Sequence, residues 1–267
     1  MIANLSEVST QAILLREDEN GIARLTLNRP QQYNVLSSAM LSELQAALDD
    51  ISANDRIHVV IIAANGKAFS AGCNLKEMRS SDDRAFHQDL FNQLNRMMLT
   101  INQMPQPVIA QINGIATAAG CQLVANCDLA VATFDSRFAV SGINVGLFCS
   151  TPAVPLSRNL PRKQALQMLL TGDFISAEQA QAYGLINEVV NDDELQRATT
   201  ALARKIAAKS PLAIRLGKQM FYRQLPMDLS AAYAFAGEKM ACNMDSEDAR
   251  EGIDAFIEKR TPQWKGR

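Results

Sequence analysis

The chain has 267 residues, 48% apolar and 20% charged, with a net charge of −2. That is enough apolar chain for a sizeable core, in one large domain or one domain with an appendage. No basic stripe and no apolar run longer than 59–64 occurs, so neither nucleic acid nor a membrane is expected as a partner.

Segment 1–20 lacks the apolar core of a signal peptide and the Arg-rich, acid-poor character of a transit peptide, so the expected location is cytoplasmic. Residues 11–16 and 22–27 read as strands joined by the turn-rich 18–21. Ser37-Ser38 starts a helix running to about Ala53, with Met40, Leu41, Leu44, Leu48 and Ile51 at helical spacing. A buried strand at 57–63 precedes the turn Asn65-Gly66, and 69–75 is a loop of small residues. Helix is expected over 82–104, then strand over 108–112. A turn of small residues follows, and a helix opens near Ala119-Gly120. Strand 129–133, an extended piece at 138–140, loop 142–150 and helix 151–170 come next. Ser176-Ala-Glu-Gln179 resembles a capping box, and Gly184 ends a helix before strand 185–190. From Asp192 onward the pattern is helical, broken at Ser210-Pro211, Pro226 and Asp245-Ser246. Alternating helices and strands predict an α/β layered core over 1–191 and an all-helical region over 192–267.

The five cysteines form no C-x-x-C pair and read as reduced thiols, with no metal site. His58 and His87 fit structural roles, and no G-x-S-x-G elbow is present. Nucleotide-binding glycine motifs are absent as well. Two small-residue turns remain, Ser70-Ala-Gly-Cys-Asn74 and Thr117-Ala-Ala-Gly-Cys121, each after a buried strand. Backbone N–H groups from two such turns can clamp one oxygen that gains negative charge. The same small residues also suit close packing alone.

The order of motifs adds to this. Leu27-Asn-Arg-Pro30 with Asn34-Val-Leu-Ser37, Gly66-Lys-Ala-Phe-Ser-Ala-Gly-Cys-Asn-Leu75, Pro107 to Gly114, Ala119-Gly-Cys-Gln122 and Cys127-Asp128 resemble the enoyl-CoA hydratase/isomerase (crotonase) superfamily. So do Leu170-Thr-Gly-Asp173, Ala182-Tyr-Gly-Leu185 and Ala255-Phe-Ile-Glu-Lys-Arg260. Segments 146–152 and 217–226 point to one subgroup of that superfamily.

The resemblance implies a spiral of β-β-α units followed by a C-terminal helical trimerisation region, as a homotrimer or a dimer of trimers. It implies an acyl-CoA substrate, with coenzyme A entering as part of that substrate and no separate cofactor. By motif position the thioester oxygen would meet the amides of Cys73 and Ala119. Ala71, Leu75 and Gly120 would lie along the ligand. Phe256 and Lys259 would approach the nucleotide end, commonly from a neighbouring subunit. The two carboxylates that hydratases use for proton transfer fall on Gln122, which cannot titrate, and Gly142, which has no side chain. Ser141 and Cys149 are nearby polar candidates. Three readings follow: a hydratase whose residues speak against efficient hydration, a decarboxylase or thioesterase on the same fold, and a non-catalytic acyl-CoA binding protein.

Overall fold

The computed structural model describes residues 12–267, so Gln11, the first residue of the expected first strand, lies outside it together with most of the segment read for leader character. The α/β expectation holds. Strands β1 (Leu14–Glu19) and β2 (Ile22–Leu27) form an antiparallel hairpin. Register carries β1 through Glu19, further than its composition suggests, because Glu19 pairs with Ile22. Only Asn20-Gly21 is left as the turn, both at positive φ, the backbone that two-residue hairpins favour.

After α1 (Ser38–Ser52), a strand–strand–helix unit recurs three times. The first comprises β3 (Val59–Ala64), β4 (Ala68–Ser70), α2 (Leu75–Met78) and α3 (Arg84–Gln103). The second comprises β5 (Val108–Ile112), β6 (Ile115–Thr117) and α4 (Ala119–Asn126). The third comprises β7 (Leu129–Thr133), β8 (Arg137–Ala139), α5 (Ser150–Asn159) and α6 (Arg162–Thr171). The first strand of each unit joins a six-stranded sheet, in which β1-β2-β3-β5-β7 are followed by β10 (Glu188–Val190). The second joins a four-stranded sheet, β4-β6-β8, with β9 (Ile175–Ser176) antiparallel at its edge. The chain thus winds as a spiral between two sheets.

Strands β3 and β5 are near-continuous apolar runs because they are covered on both faces. On one side Val60, Ile62, Phe69 and Phe138 pack with Leu44 and Leu48 of α1. On the other, Val59, Ile61 and Ile109 meet Ala203 of α8 (Leu195–Ala207). Helix α7 (Ala177–Ala182) begins with the expected capping box, Ser176 with Gln179. The remaining helices are α9 (Pro211–Gln224), α10 (Leu229–Met244) and α11 (Glu247–Ile257), broken where expected.

Several local expectations need correction. Helix 151–170 is two helices, because Pro161 forces Leu160 into an extended backbone. The loop 69–75 begins as strand β4, and Asn74 caps α2 by accepting from the Lys76 and Glu77 amides. The small-residue turn before α4 contains β6, and loop 142–150 opens as a 3-10 turn over Ser141–Val145.

Helix α9 is tied to the core at one buried point. Lys218 Nζ donates to Ile101 O at 2.7 Å, Gln106 O at 2.9 Å and Asp128 Oδ2 at 2.6 Å. Asp128 also accepts from Tyr222 Oη at 2.8 Å and the Val108 amide at 2.7 Å. Burial lowers the pKa of Lys218, and the Asp128 charge opposes that shift. Lys218→Met would leave the largely covered Asp128 carboxylate without its cation, so denaturant unfolding is expected to show a loss of about 3 kcal/mol. A loss under 1 kcal/mol would mean that the cluster does not hold the helix.

Candidate active site

Strands β4, β6 and β8 are parallel neighbours, so the loops leaving their carboxyl ends lie side by side. A cavity of about 510 Å³ opens there, a volume suited to a small-molecule ligand. Ala71, Cys73 and Leu75 line it after β4, Ala118 and Ala119 after β6, and Ser141 and Gly142 after β8. The start of α5 (Cys149, Ser150, Thr151) closes one side, and Leu147 and Phe148 sit above.

Two glycines let the loops touch. Gly72, at φ +89°, has no room for a Cβ, which would lie 2.8 Å from Ala118 Cβ, 2.9 Å from Thr117 O and 3.0 Å from the Ala119 nitrogen. A Cβ on Gly120 would collide with the Ser70 carbonyl oxygen. Ala118 is held at φ 50°, ψ −121°, a rare conformation for a residue with a side chain. Its own amide donates to Ala139 O at 3.0 Å, and its ψ turns the following peptide plane. Among the described residues, the amides of Cys73 and Ala119 donate to no protein acceptor. Positive φ therefore falls one residue before each of them, on Gly72 and Ala118. That is why a cysteine and an alanine can occupy 73 and 119.

The 70–74 loop is braced from beneath. The fully buried Asn34 side chain accepts from the Arg29 amide and donates to Asn65 O and Ala68 O. Ser70 Oγ donates to Asn34 O at 2.8 Å and accepts from the Gly72 amide. Leu36 N donates to Gly72 O at 2.7 Å. The motif Asn34-Val-Leu-Ser37 thus shapes the site without entering it.

The expected site residues divide into three groups. Ala71, Cys73, Leu75, Ala119, Ser141, Gly142 and Cys149 line the cavity. Gly120 and Gln122 do not: Gly120 packs on Ser70, and Gln122 lies behind Thr151, whose hydroxyl donates to Gln122 Oε1 at 3.1 Å. Phe256 and Lys259 do not reach the cavity within one chain, and Phe256 is 86% exposed on α11. Gln88, Phe91 and Asn95 of α3 form a further wall that the sequence reading omits. Their i, i+3, i+7 spacing marks one helix face, and only that face carries the signal.

Among the described residues no Asp, Glu, Lys or Arg lines the cavity. Burial pushes the Cys73 thiol up to about 11, with the Cys149 and Glu77 charges adding to it. The Cys149 thiol is also raised by burial, against a hydrogen bond from the Gly142 backbone. Ser141 Oγ pairs with Thr117 Oγ1 at 2.8 Å. Gly142 is not an empty position: a Cβ there would lie 2.7 Å from Leu147 O and 2.8 Å from Cys149 Sγ. The arrangement offers neutral donors and no group that exchanges a proton near neutral pH. Among the described residues no cluster of three His, Cys, Asp or Glu side chains could hold a metal ion. No helix there is long and apolar enough to cross a membrane.

Residues 17–267 match the family described as Enoyl-CoA hydratase/isomerase. A crystal structure of an enoyl-CoA hydratase from Mycobacterium smegmatis superposes with a TM-score of 0.93 at 53% identity, covering 95% of this chain and 99% of that one. The human enoyl-CoA hydratase domain-containing protein 3 is 49% identical over 246 residues, 92% of this chain and 81% of that protein. Its crystal structure superposes with a TM-score of 0.93 over 95% of this chain and 100% of that one. The 2,3-dehydroadipyl-CoA hydratase of Escherichia coli is 35% identical over 255 residues, 95% of this chain and 99% of that protein. Segments 146–152 and 217–226 therefore pointed to the right subgroup. The cytoplasmic expectation is corrected: the rat, mouse, human, Xenopus laevis and Danio rerio relatives, 45–49% identical, are all named as mitochondrial proteins. The chain has the crotonase-type spiral fold and belongs to the enoyl-CoA hydratase/isomerase family.

Proposed function

We propose that the chain binds acyl-CoA thioesters in the cavity at the ends of β4, β6 and β8, with the thioester oxygen accepting from the Cys73 and Ala119 amides. Family membership supports an acyl-CoA ligand. The observation that carries the reading is the pair of amides, unpaired among the described residues, on two turns that touch at Gly72. Coenzyme A is part of the substrate, and no other cofactor is required. Fixed backbone donors stabilise charge on the oxygen without reorganising, and one such donor typically contributes ~3–4 kcal/mol to lowering a barrier.

The chemistry that follows is enolate stabilisation, not paired-carboxylate hydration. Adding water across a double bond needs one group to take its proton and another to supply the α carbon. Gln122 cannot titrate, and Gly142 has no side chain. A thioesterase reading built on Cys149 is disfavoured, because burial holds its thiol in the neutral form. Reactions that need only the enolate, decarboxylation among them, suit the site better, and binding without turnover is the remaining alternative.

We also propose a homotrimer or a dimer of trimers. Helix α10 has no buried residue in the single chain, and Leu229 and Tyr233 are each 74% exposed. A face so apolar needs cover. In such an assembly Phe256 and Lys259 would complete the nucleotide end of a neighbour's site.

Three outcomes test this. Gly72→Ala should push the two turns apart and weaken calorimetric binding of crotonyl-CoA at least tenfold in a protein whose circular dichroism is unchanged; unaltered affinity would remove the two-amide clamp. Gly142→Glu, even with Gln122→Glu, should not gain hydration of crotonyl-CoA, and overpacking against Leu147 O should destabilise it by about 1–3 kcal/mol. A stable, hydrating double variant would show that only side chains were missing. Sedimentation equilibrium should give three or six times the 29.2 kDa chain mass, with Leu229→Asp/Tyr233→Asp shifting it to one; a wild-type monomer at micromolar concentration would end the assembly proposal.

A further inference from the structure

The cavity that holds the two amide-bearing turns is walled largely by hydrocarbon. Leu75 and Met78 of α2 and Phe91 of α3 line it, together with Val145, Leu147 and Phe148 from the segment before α5. Phe91 also packs against the main core, so it forms a fixed wall. Leu75, Val145, Leu147 and Phe148 are 46–59% exposed and form an open rim. Large apolar side chains left uncovered around one cavity mark a surface that an apolar ligand covers. At about 510 Å³ the cavity has room for a hydrocarbon tail as well as a thioester.

The polar part of the lining is neutral. Its side chains are amides, hydroxyls and two thiols, and burial is the main cause that keeps both thiols protonated. Surroundings that disfavour a thiolate disfavour a carboxylate in the same way. An acid group entering the cavity would shed water and meet no cation in the walls. With the thioester oxygen on the Cys73 and Ala119 amides, a group a few carbons along the acyl chain stays within reach of these walls.

We infer that the acyl group is a neutral hydrocarbon chain of medium length, lying against Phe91 and the 145–148 segment, and that CoA esters of dicarboxylic acids are rejected. The inference rests on the acyl-CoA reading and names the acyl class that this reading leaves open. Discrimination then comes from what the walls lack as much as from what they contact: a charged tail loses its hydration without a replacement, while each buried methylene adds to binding.

Isothermal titration of the full-length protein with butyryl-CoA, hexanoyl-CoA, succinyl-CoA and adipoyl-CoA tests it, because each acid is matched in carbon number by a neutral ester. Hexanoyl-CoA should bind about tenfold tighter than butyryl-CoA, a difference of about 1.4 kcal/mol for two buried methylenes. Adipoyl-CoA should bind at least tenfold more weakly than hexanoyl-CoA, and succinyl-CoA more weakly than butyryl-CoA. Phe91→Ala should bring the hexanoyl-to-butyryl ratio toward one, and Phe91→Leu, which keeps an apolar wall, should preserve most of it. Leu147→Ser, at a rim position whose exposure makes the change safe for folding, should lower the same ratio. Adipoyl-CoA binding as tightly as hexanoyl-CoA, or hexanoyl-CoA no tighter than butyryl-CoA, would overturn the inference and leave the acyl-CoA reading standing. No binding of any of the four would overturn both.

Discussion

The site depends on two places where main chain meets main chain with no side chain between. Gly120 rests on the Ser70 carbonyl, and Gly72 rests on the 117–119 turn. Even one methyl group at either point would separate loops that belong to different units of the spiral. The contact also locates the strain. Left-handed or rare backbone falls on Gly72 and Ala118, and each turns the peptide plane that follows it. The two amides without a protein acceptor among the described residues follow directly on that strain, and the Asn34 network sustains it from beneath.

Such donors are useful only if the helix carrying one of them cannot move. All eight residues of α4 are buried. Its far end is held by Asn126 Nδ2 on Met98 O and Asn159 Nδ2 on Ala125 O, both at 2.6 Å. Just beyond it, Asp128 gathers Lys218, Tyr222 and the Val108 amide. The C-terminal helices are thereby tied to the same short segment that presents Ala119. One cluster contributes to stability and, on the proposed two-amide reading, to preorganisation, because a donor anchored at both ends pays no ordering cost when charge appears.

Much of this was legible beforehand, for identifiable reasons. Helix starts at Ser37, Ser176, Ser210 and Ser246 were readable because a hydroxyl accepting from an amide two or three residues on is a local signal. The two turns were readable because glycine and alanine cluster after apolar strands. Strands β6 and β9 were not, since two or three residues show no period and their existence depends on neighbours from distant chain. The α3 wall was missed because Gln88, Phe91 and Asn95 are unremarkable in composition, and only packing reveals what they face. Gly142 looked like a deleted side chain, because a sequence shows the absence of atoms but not what fills their place.

That last point changes what the departures at 122 and 142 mean. The Leu147 amide donates back to Gly142 O at 2.9 Å, curling the loop so that Leu147 O and Cys149 Sγ stand where a side chain at 142 would begin. Absence of the carboxylate and the path of the 142–149 loop are therefore one structural fact. Gln122 is likewise integrated: its oxygen is bound by Thr151, which follows two residues after Cys149 at the start of α5. A glutamate at 122 would present oxygen at both ends to the Thr151 hydroxyl that now binds the carboxamide. The same loop and helix start thus exclude one proton-transfer group and orient the replacement for the other.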